Sequence, residues 1–286
     1  MQLIHERAVL REALGDRPSA SLATVMTLGA LHEGHAALMA RARQAVGPTG
    51  QVIVTVFVNP LQFAAGEDFA KYPRTLQADV QLAEAAGANI VYAPGVEEIY
   101  GTVSEGESAQ VRVQPGPLGN ELEGASRPGH FAGVLTVVAI LLHHTRCGFA
   151  PFGEKDYQQL TLVRAMVREL GFDVEVLPVP TLRESDGLAL SSRNRYLSAH
   201  EREVARAIPQ ALHAAQLVQH RGAQASLEAA QAALRTQPAV DVDYLELRGT
   251  ALQPAPSTGP ARLLLAAKVG STRLLDNVAI ELGNPS

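Results

Sequence analysis

Apolar positions recur along the first part of the chain in two alternating rhythms. Residues 21–26 (SLATVM) and 51–58 (QVIVTVFV) are short, nearly continuous apolar runs, the second rich in β-branched residues, and both predict buried strands. Between them, residues 34–46 carry helical spacing, with Leu38, Ala42 and Ala45 on one face. This strand–helix–strand unit has the length of a parallel crossover. The alternation continues with a helix over 75–87, a strand over 89–93, a buried helix over 130–144, an amphipathic helix over 156–171 and a strand over 173–179. Such repetition predicts an α/β domain with a mostly parallel sheet.

After Pro180 the order changes. Alanine-rich helices are predicted over 199–220 and 224–235, followed by strands over 241–248, 261–269 and 272–281. Helices followed by strands predict a smaller α+β domain. The expected division is therefore a Rossmann-like domain over residues 1–181 and a second domain over 182–286, and 286 residues suit two domains.

Composition narrows the class. The chain is 47% hydrophobic and 19% charged, as a globular protein with a sizeable core would be. A net charge of -5 argues against a nucleic-acid-coating protein. No apolar run reaches bilayer length, so no membrane partner is expected. The single cysteine, Cys147, excludes an intrachain disulfide and a cysteine-rich zinc site. The first residues lack the apolar run of a secretory signal, and the expected location is the cytoplasm. Lysine occurs only at 71, 155 and 268 in a chain otherwise reliant on arginine, which makes each lysine worth inspecting.

Candidate chemistry gathers at the ends of predicted strands. In TLGALHEGHAAL (residues 27–38), His32 and His35 flank Glu33 and Gly34 where the first predicted helix opens. A zinc-protease helix needs its histidines four apart, and here they are three apart with no cysteine nearby. The carboxyl end of a parallel strand and the start of a helix favour an anion. Gly34 would let a nucleotide approach the backbone, and two imidazole N–H groups could hold phosphate oxygens. No Walker A or G-x-G-x-x-G pattern is present. A surface or capping pair is the plain alternative.

In FVNPLQF (57–63), Asn59 and Gln62 are uncharged amides suited to a hydroxyl or a carboxylate, although Asn-Pro also opens ordinary turns. In FGEKDYQQL (152–160), Gly153 permits close backbone approach and Lys155 is a point charge for phosphate. Asp156 suits a helix cap, and Gln159 follows Lys155 by four residues, as on one helix face. Ser191, Ser192 and Arg193 place two hydroxyls and a guanidinium on a loop able to clamp a triphosphate. Residues 120–134, with Glu121, Glu123, Arg127 and His130, read as a lid or as a solvated charged loop.

Taken in order, TLGALHEGH, FVNPLQF, YPRT, ELEGASRPGHFAGV, FGEKDYQQL, LSSRNRYL and TRLLDN resemble the pantoate–β-alanine ligase (pantothenate synthetase) family over essentially the whole chain. H-x-G-H alone is shared with cytidylyltransferases and class I aminoacyl-tRNA synthetases; the joint set is specific. The resemblance implies a Rossmann-like domain with a small C-terminal lid domain, usually in a homodimer. It implies an ATP- and magnesium-dependent synthesis in two steps: pantoate and ATP give pantoyl adenylate and pyrophosphate, then β-alanine displaces AMP to give pantothenate.

The resemblance also implies residue roles. His32, His35 and Lys155 would be catalytic. Gly34, Gly153, Lys155, Asp156, Leu182, Ser191, Ser192 and Arg193 would contact ATP. Leu28, Asn59, Gln62 and Gln159 would contact pantoate, and Asp79 would be a magnesium ligand. The chain departs from the family pattern at Leu28, where methionine is common, and at Ala78, where some members carry a second aspartate. It departs again at Ile140 and at Cys147-Gly148, where effects on local packing are expected. A nucleotidyltransferase for a phosphorylated acceptor, or a non-catalytic nucleotide-binding protein, are the competing readings. The neutral amides weigh against the first, and the retention of His32, His35, Lys155 and Arg193 weighs against the second.

Overall fold

The computed structural model describes residues 1–63, 68–101 and 111–283. The chain forms two compact units. The first comprises Met1–Glu154 and Gln159–Val179; the second comprises Lys155–Gln158 and the chain from Pro180 onward.

The first unit is an α/β layer structure. Its strands are β1 (Gln2–Ile4), β2 (Leu22–Thr27), β3 (Gln51–Val56), β4 (Ile90–Tyr92), β5 (Phe149–Gly153) and β6 (Glu175–Val179). Its helices are α1 (Arg7–Leu14), α2 (Glu33–Val46), α3 (Leu76–Ala85), α4 (Val96–Tyr100), α5 (Glu123–Ser126), α6 (His130–Thr145) and most of α7 (Tyr157–Glu169). All strand pairings are parallel, and the strand order is β1-β4-β3-β2-β5-β6. The central strands β2 and β3 are buried along most of their length, which is why they read as apolar runs and not as alternation. Helix α6 is apolar all round and almost wholly buried, as its composition requires.

The order matters for function. From β2 the chain runs outward through β3 and β4, then returns past β2 to β5 and β6. The direction of winding reverses between β2 and β5, and ligands of open parallel sheets bind at the carboxyl ends of strands at such a point. Thr27 and Gly153 are the last residues of those two strands.

Four short elements were not anticipated: β1, α1, α4 and α5. A three-residue edge strand and a helix of one or two turns are too short for periodicity to register. In α1 only Leu10 and Leu14 are buried.

The second unit holds α8 (Ala199–Ala205), α9 (Ala207–Leu217), α10 (Ala223–Arg235) and the antiparallel strands β7 (Val240–Gly249), β8 (Gly259–Val269) and β9 (Thr272–Leu282), in the order β7-β8-β9. The single helix expected over 199–220 is interrupted at Arg206. Pro209 explains the break: it lacks an N–H, which the first turn of a helix does not need but its interior does. Leu263, Leu265, Ala267 and Val269 of β8 share one core with Ala211 and Leu212 of α9 and Ala230 and Leu234 of α10. The parallel α/β domain and the smaller α+β domain are thus both present.

Candidate active site

The sequence-predicted residues fall into two sets, one in each unit. The first begins where β2 ends. The Thr27 hydroxyl donates to the Thr55 carbonyl at 2.7 Å and accepts from Gly29 N–H at 3.1 Å. The chain then turns through two left-handed residues, Gly29 (φ 87°) and Ala30 (φ 52°). A Cβ at Gly29 would lie 3.0 Å from Asp79 Oδ2 and 3.2 Å from a Val56 methyl, so both space and backbone require glycine there. Ala30 has no such licence, and its conformation costs about 1–2 kcal/mol. Asp79 of α3 offsets this. Its buried carboxylate accepts the N–H of Ala30 at 3.1 Å, the N–H of Leu31 at 2.8 Å and the Thr75 hydroxyl at 3.2 Å.

The histidines follow immediately. His32 is the N-cap of α2 in extended conformation, and its Nδ1 accepts the Gly34 N–H at 3.1 Å. His35 returns the bond: its Nδ1 accepts the His32 N–H at 3.2 Å. This is a capping box built from two imidazoles, with ring centroids 4.1 Å apart. A nitrogen that accepts carries no proton, so each neutral ring is held in the tautomer protonated on Nε2. The capping reading and the donor reading of this pair are therefore compatible. The cap uses one nitrogen of each ring and makes the other a donor. Leu28, in the loop ahead of them, is half-buried.

The amide pair lies beyond β3. Asn59 is fully buried, and every hydrogen-bonding position of its amide is occupied. Its Oδ1 accepts from Leu61 N–H at 3.1 Å and from the Tyr100 hydroxyl at 2.6 Å; its Nδ2 donates to Gln62 Oε1 and to the Gly133 carbonyl, each at 3.1 Å. Burial pushes the Tyr100 phenol above its usual range, which keeps it a donor. Asn59 thus shapes the Pro60–Gln62 turn and orients Gln62. With Gln62 Oε1 turned to Asn59, its Nε2 is the end left to donate.

Residues 120–134 are not a fully solvated loop: they pack in part against the Pro60–Gln62 turn. Glu123 is buried, and the Gln62 carbonyl accepts from His130 Nδ1 at 2.8 Å and Arg127 Nη2 at 3.3 Å. A Cβ on Gly133 would sit 2.1 Å from the Leu61 carbonyl oxygen, so glycine lets α6 lie directly against the turn. Gln159 is half-buried on α7, and the Cβ position of Gly153 opens on empty space.

The second set belongs to the second unit. Lys155 lies in a 3-10 turn, Glu154–Asp156, ahead of α7 and not within it. A spacing of four from Lys155 to Gln159 therefore does not place the two on one helix face. Lys155 Nζ is 3.4 Å from Asp156 Oδ1. The Ser191 hydroxyl caps a 3-10 turn over Ser192–Tyr196 by accepting the Arg193 N–H at 3.3 Å. Lys155, Ser191 and Arg193 line one cavity, with Arg273 and Asp276.

The segment that carries Ser191–Arg193 is anchored, not loose. Leu190 N–H donates to the exposed Leu182 at its carbonyl, 2.9 Å; Asn194 Nδ2 donates to the Ala189 carbonyl at 3.0 Å; and Arg202 pairs with Glu184 and Asp186. Missed from sequence were Tyr100, Gly133, Asp276 and Asn277. The only available signal for the last two was their place in TRLLDN.

Among the described residues no group of three or more His, Cys, Asp or Glu could hold a metal. Both oxygens of Asp79 accept hydrogen bonds, from the N–H groups of Ala30 and Leu31 and from the Thr75 hydroxyl.

Paired imidazoles at the switch point of a parallel sheet in one unit, and a cavity lined by lysine, serine and arginine in the other, are the features of a phosphate-handling α/β enzyme. The pantoate–β-alanine ligase family profile matches residues 2–279. Pantothenate synthetase from Nocardia farcinica is 58% identical over 93% of this chain and 81% of that protein. The enzyme from Salinispora arenicola is 52% identical over 98% of each. The crystal structure of pantothenate synthetase from Thermus thermophilus superposes with a TM-score of 0.89 at 46% identity, covering 97% of this chain and 99% of that one. The Francisella tularensis ligase, solved with β-γ ATP and β-alanine, has a TM-score of 0.79 at 30% identity over 100% of both chains. The chain belongs to the pantoate–β-alanine ligase family, enzymes that form an amide bond.

Proposed function

We propose that this enzyme makes pantothenate through an acyl adenylate. A pantoate carboxylate oxygen attacks the α-phosphorus of ATP and pyrophosphate leaves. The neutral amine of β-alanine then attacks the acyl carbon, AMP leaves, and the amine loses a proton. The observation that carries this reading is the reciprocal cap of His32 and His35, which presents two Nε2–H donors at the carboxyl end of β2. Such donors, held before reaction begins, stabilise charge developing on phosphate oxygens without reorganisation. That the Francisella tularensis relative was solved with β-γ ATP and β-alanine supports the choice of substrates.

In this reading Gly34, Gly153, Asp156 and Leu182 contact the nucleotide, and Lys155, Ser191, Ser192 and Arg193 bind its phosphates. Gln62 and Gln159 hold pantoate beside Leu28, and Asn59 orients Gln62. Magnesium arrives as the ATP complex, held by phosphate oxygens and water. The enzyme works as a cytoplasmic homodimer. The test is incubation with ATP, magnesium, pantoate and β-alanine, following AMP, pyrophosphate and pantothenate. AMP should form only when pantoate is present. AMP release indifferent to pantoate would reject the reading.

A further inference from the structure

In the second unit a buried polar chain that none of the assigned roles uses leads to Lys155. Asn277 of β9 is 3% exposed. Its Nδ2 donates to the Lys155 carbonyl at 2.8 Å, and its Oδ1 accepts from Arg262 Nε of β8 at 2.6 Å. Arg262 is itself buried, with its guanidinium carbon 4.2 Å from the centre of the Tyr157 ring. The Tyr157 hydroxyl donates to the Thr250 carbonyl at 2.9 Å. The charge on Arg262 fixes which end of the amide faces it. The Nδ2 end must therefore face Lys155, and a charged donor in a dry setting makes that orientation strong.

The preceding residue, Asp276, is equally buried. It takes a two-pronged bond from Arg183, at 2.6 and 2.9 Å, and accepts the Asn277 N–H at 2.7 Å. Arg183 bridges to Ala189, just ahead of Ser191. Successive strand residues point to opposite faces. One dipeptide of β9 thereby grips the Lys155 turn with one side chain and the segment leading to Ser191–Arg193 with the other.

We propose that Asn277 and Asp276 are positioning residues: together they set the Lys155 ammonium against the Ser191–Arg193 turn at the spacing a polyphosphate needs. This rests on the assignment of those groups to ATP phosphates. An aspartate at 277 would keep the shape and the bond to Arg262 but turn an acceptor toward the Lys155 carbonyl. An asparagine at 276 would keep the shape and weaken the grip on Arg183.

The test uses the full chain as Asn277→Asp and Asp276→Asn, with steady-state kinetics for each substrate, calorimetric binding of ATP and of inorganic tripolyphosphate, and thermal unfolding. The expected result is a kcat/KM for ATP lowered by about tenfold or more in each variant, with tripolyphosphate binding weakened in parallel. KM for pantoate should stay within about twofold, at an unfolding midpoint close to wild type.

Unchanged ATP kinetics and binding in a folded variant would overturn the proposal. So would equal losses for ATP and pantoate that track a lowered midpoint, because that is the mark of a merely structural role. If one variant does not fold, the other is judged by the same two criteria. A wild-type chain that makes no pantothenate would reject the functional assignment. Tripolyphosphate affinity, compared between wild type and variant, would still decide the positioning role.

Discussion

Asp79 Oδ1 accepts the backbone N–H of Leu31 at 2.8 Å, from 48 residues away in sequence. With the companion bond to Ala30, it fixes the left-handed turn that delivers the chain to His32. Asp79→Asn would place an amide donor against one of those N–H groups. The expected loss of stability is about 1–3 kcal/mol, with turnover falling about tenfold or more. The magnesium concentration for half-maximal activity should not move. A large shift in that concentration, seen in a magnesium titration of the variant, would show that Asp79 ligates the metal after all.

The observed capping role of His32 and its proposed role as a phosphate donor can be separated. Asparagine is a good N-cap, so His32→Asn should leave the unfolding midpoint near wild type while removing the imidazole donor. Loss of one such donor corresponds to about 3–4 kcal/mol of transition-state stabilisation. Equal thermal stability with turnover reduced by that factor is the expected pair of measurements. His35→Ala and Lys155→Ala should lose activity on the same scale. Near-normal turnover in any of the three would remove that residue from the mechanism.

Tyr100 is linked through Asn59 to Gln62, the residue proposed to hold pantoate. Tyr100→Phe deletes the hydroxyl that donates to Asn59 Oδ1 and leaves that buried oxygen one donor short, at about 1–3 kcal/mol. Because Asn59 orients Gln62, KM for pantoate should rise several-fold while KM for ATP holds. Substrate-by-substrate kinetics check this, and a rise confined to ATP would contradict it.

Chelation should stop turnover and leave folding intact, since no described cluster of side chains could hold a structural metal. Circular dichroism through a thermal ramp, with and without chelator, distinguishes this from a metal that props up the fold.

A pH effect comes from a place remote from these groups in sequence. His144 is buried on α6 with its Nδ1 3.1 Å from the Tyr92 hydroxyl, and burial pulls its imidazole down to about 4. Arg7 and His143 act in the same direction and Glu98 opposes them. Between pH 6.5 and 4 the unfolded chain takes up a proton at this residue and the folded chain does not. Stability is therefore complete above pH 6.5 and falls as pH drops through that window, by up to about 3 kcal/mol. His144→Asn, which still accepts the Tyr92 hydroxyl and does not titrate, should lose less stability than wild type between pH 7.5 and 4.5 in denaturant titrations.

Read alone, the chain's periodicity determined the alternating α/β part, the change of pattern after Pro180 and the strands of the small sheet, because these depend on contacts that recur every few residues. Its motifs determined the family, because His32, His35, Gln62, Lys155 and Ser191–Arg193 stand in a fixed order. Only the tertiary structure decided what those residues lean on. The winding reversal between β2 and β5 is a matter of strand order, which no local pattern records. Asn59 was legible as an amide beside a substrate; its four bonds, one of them to Gly133 across 74 positions, make it the frame for Gln62. Asp79 was legible as an acid beside the site; that it also accepts the N–H groups of Ala30 and Leu31 was not. Asn277 meets Lys155 across 122 positions, and nothing in TRLLDN announced it. In each case a hydrogen bond joins residues whose separation along the chain is set by the fold. The chemistry of a side chain can be read from its type, but the partner that orients it exists only once distant segments have packed.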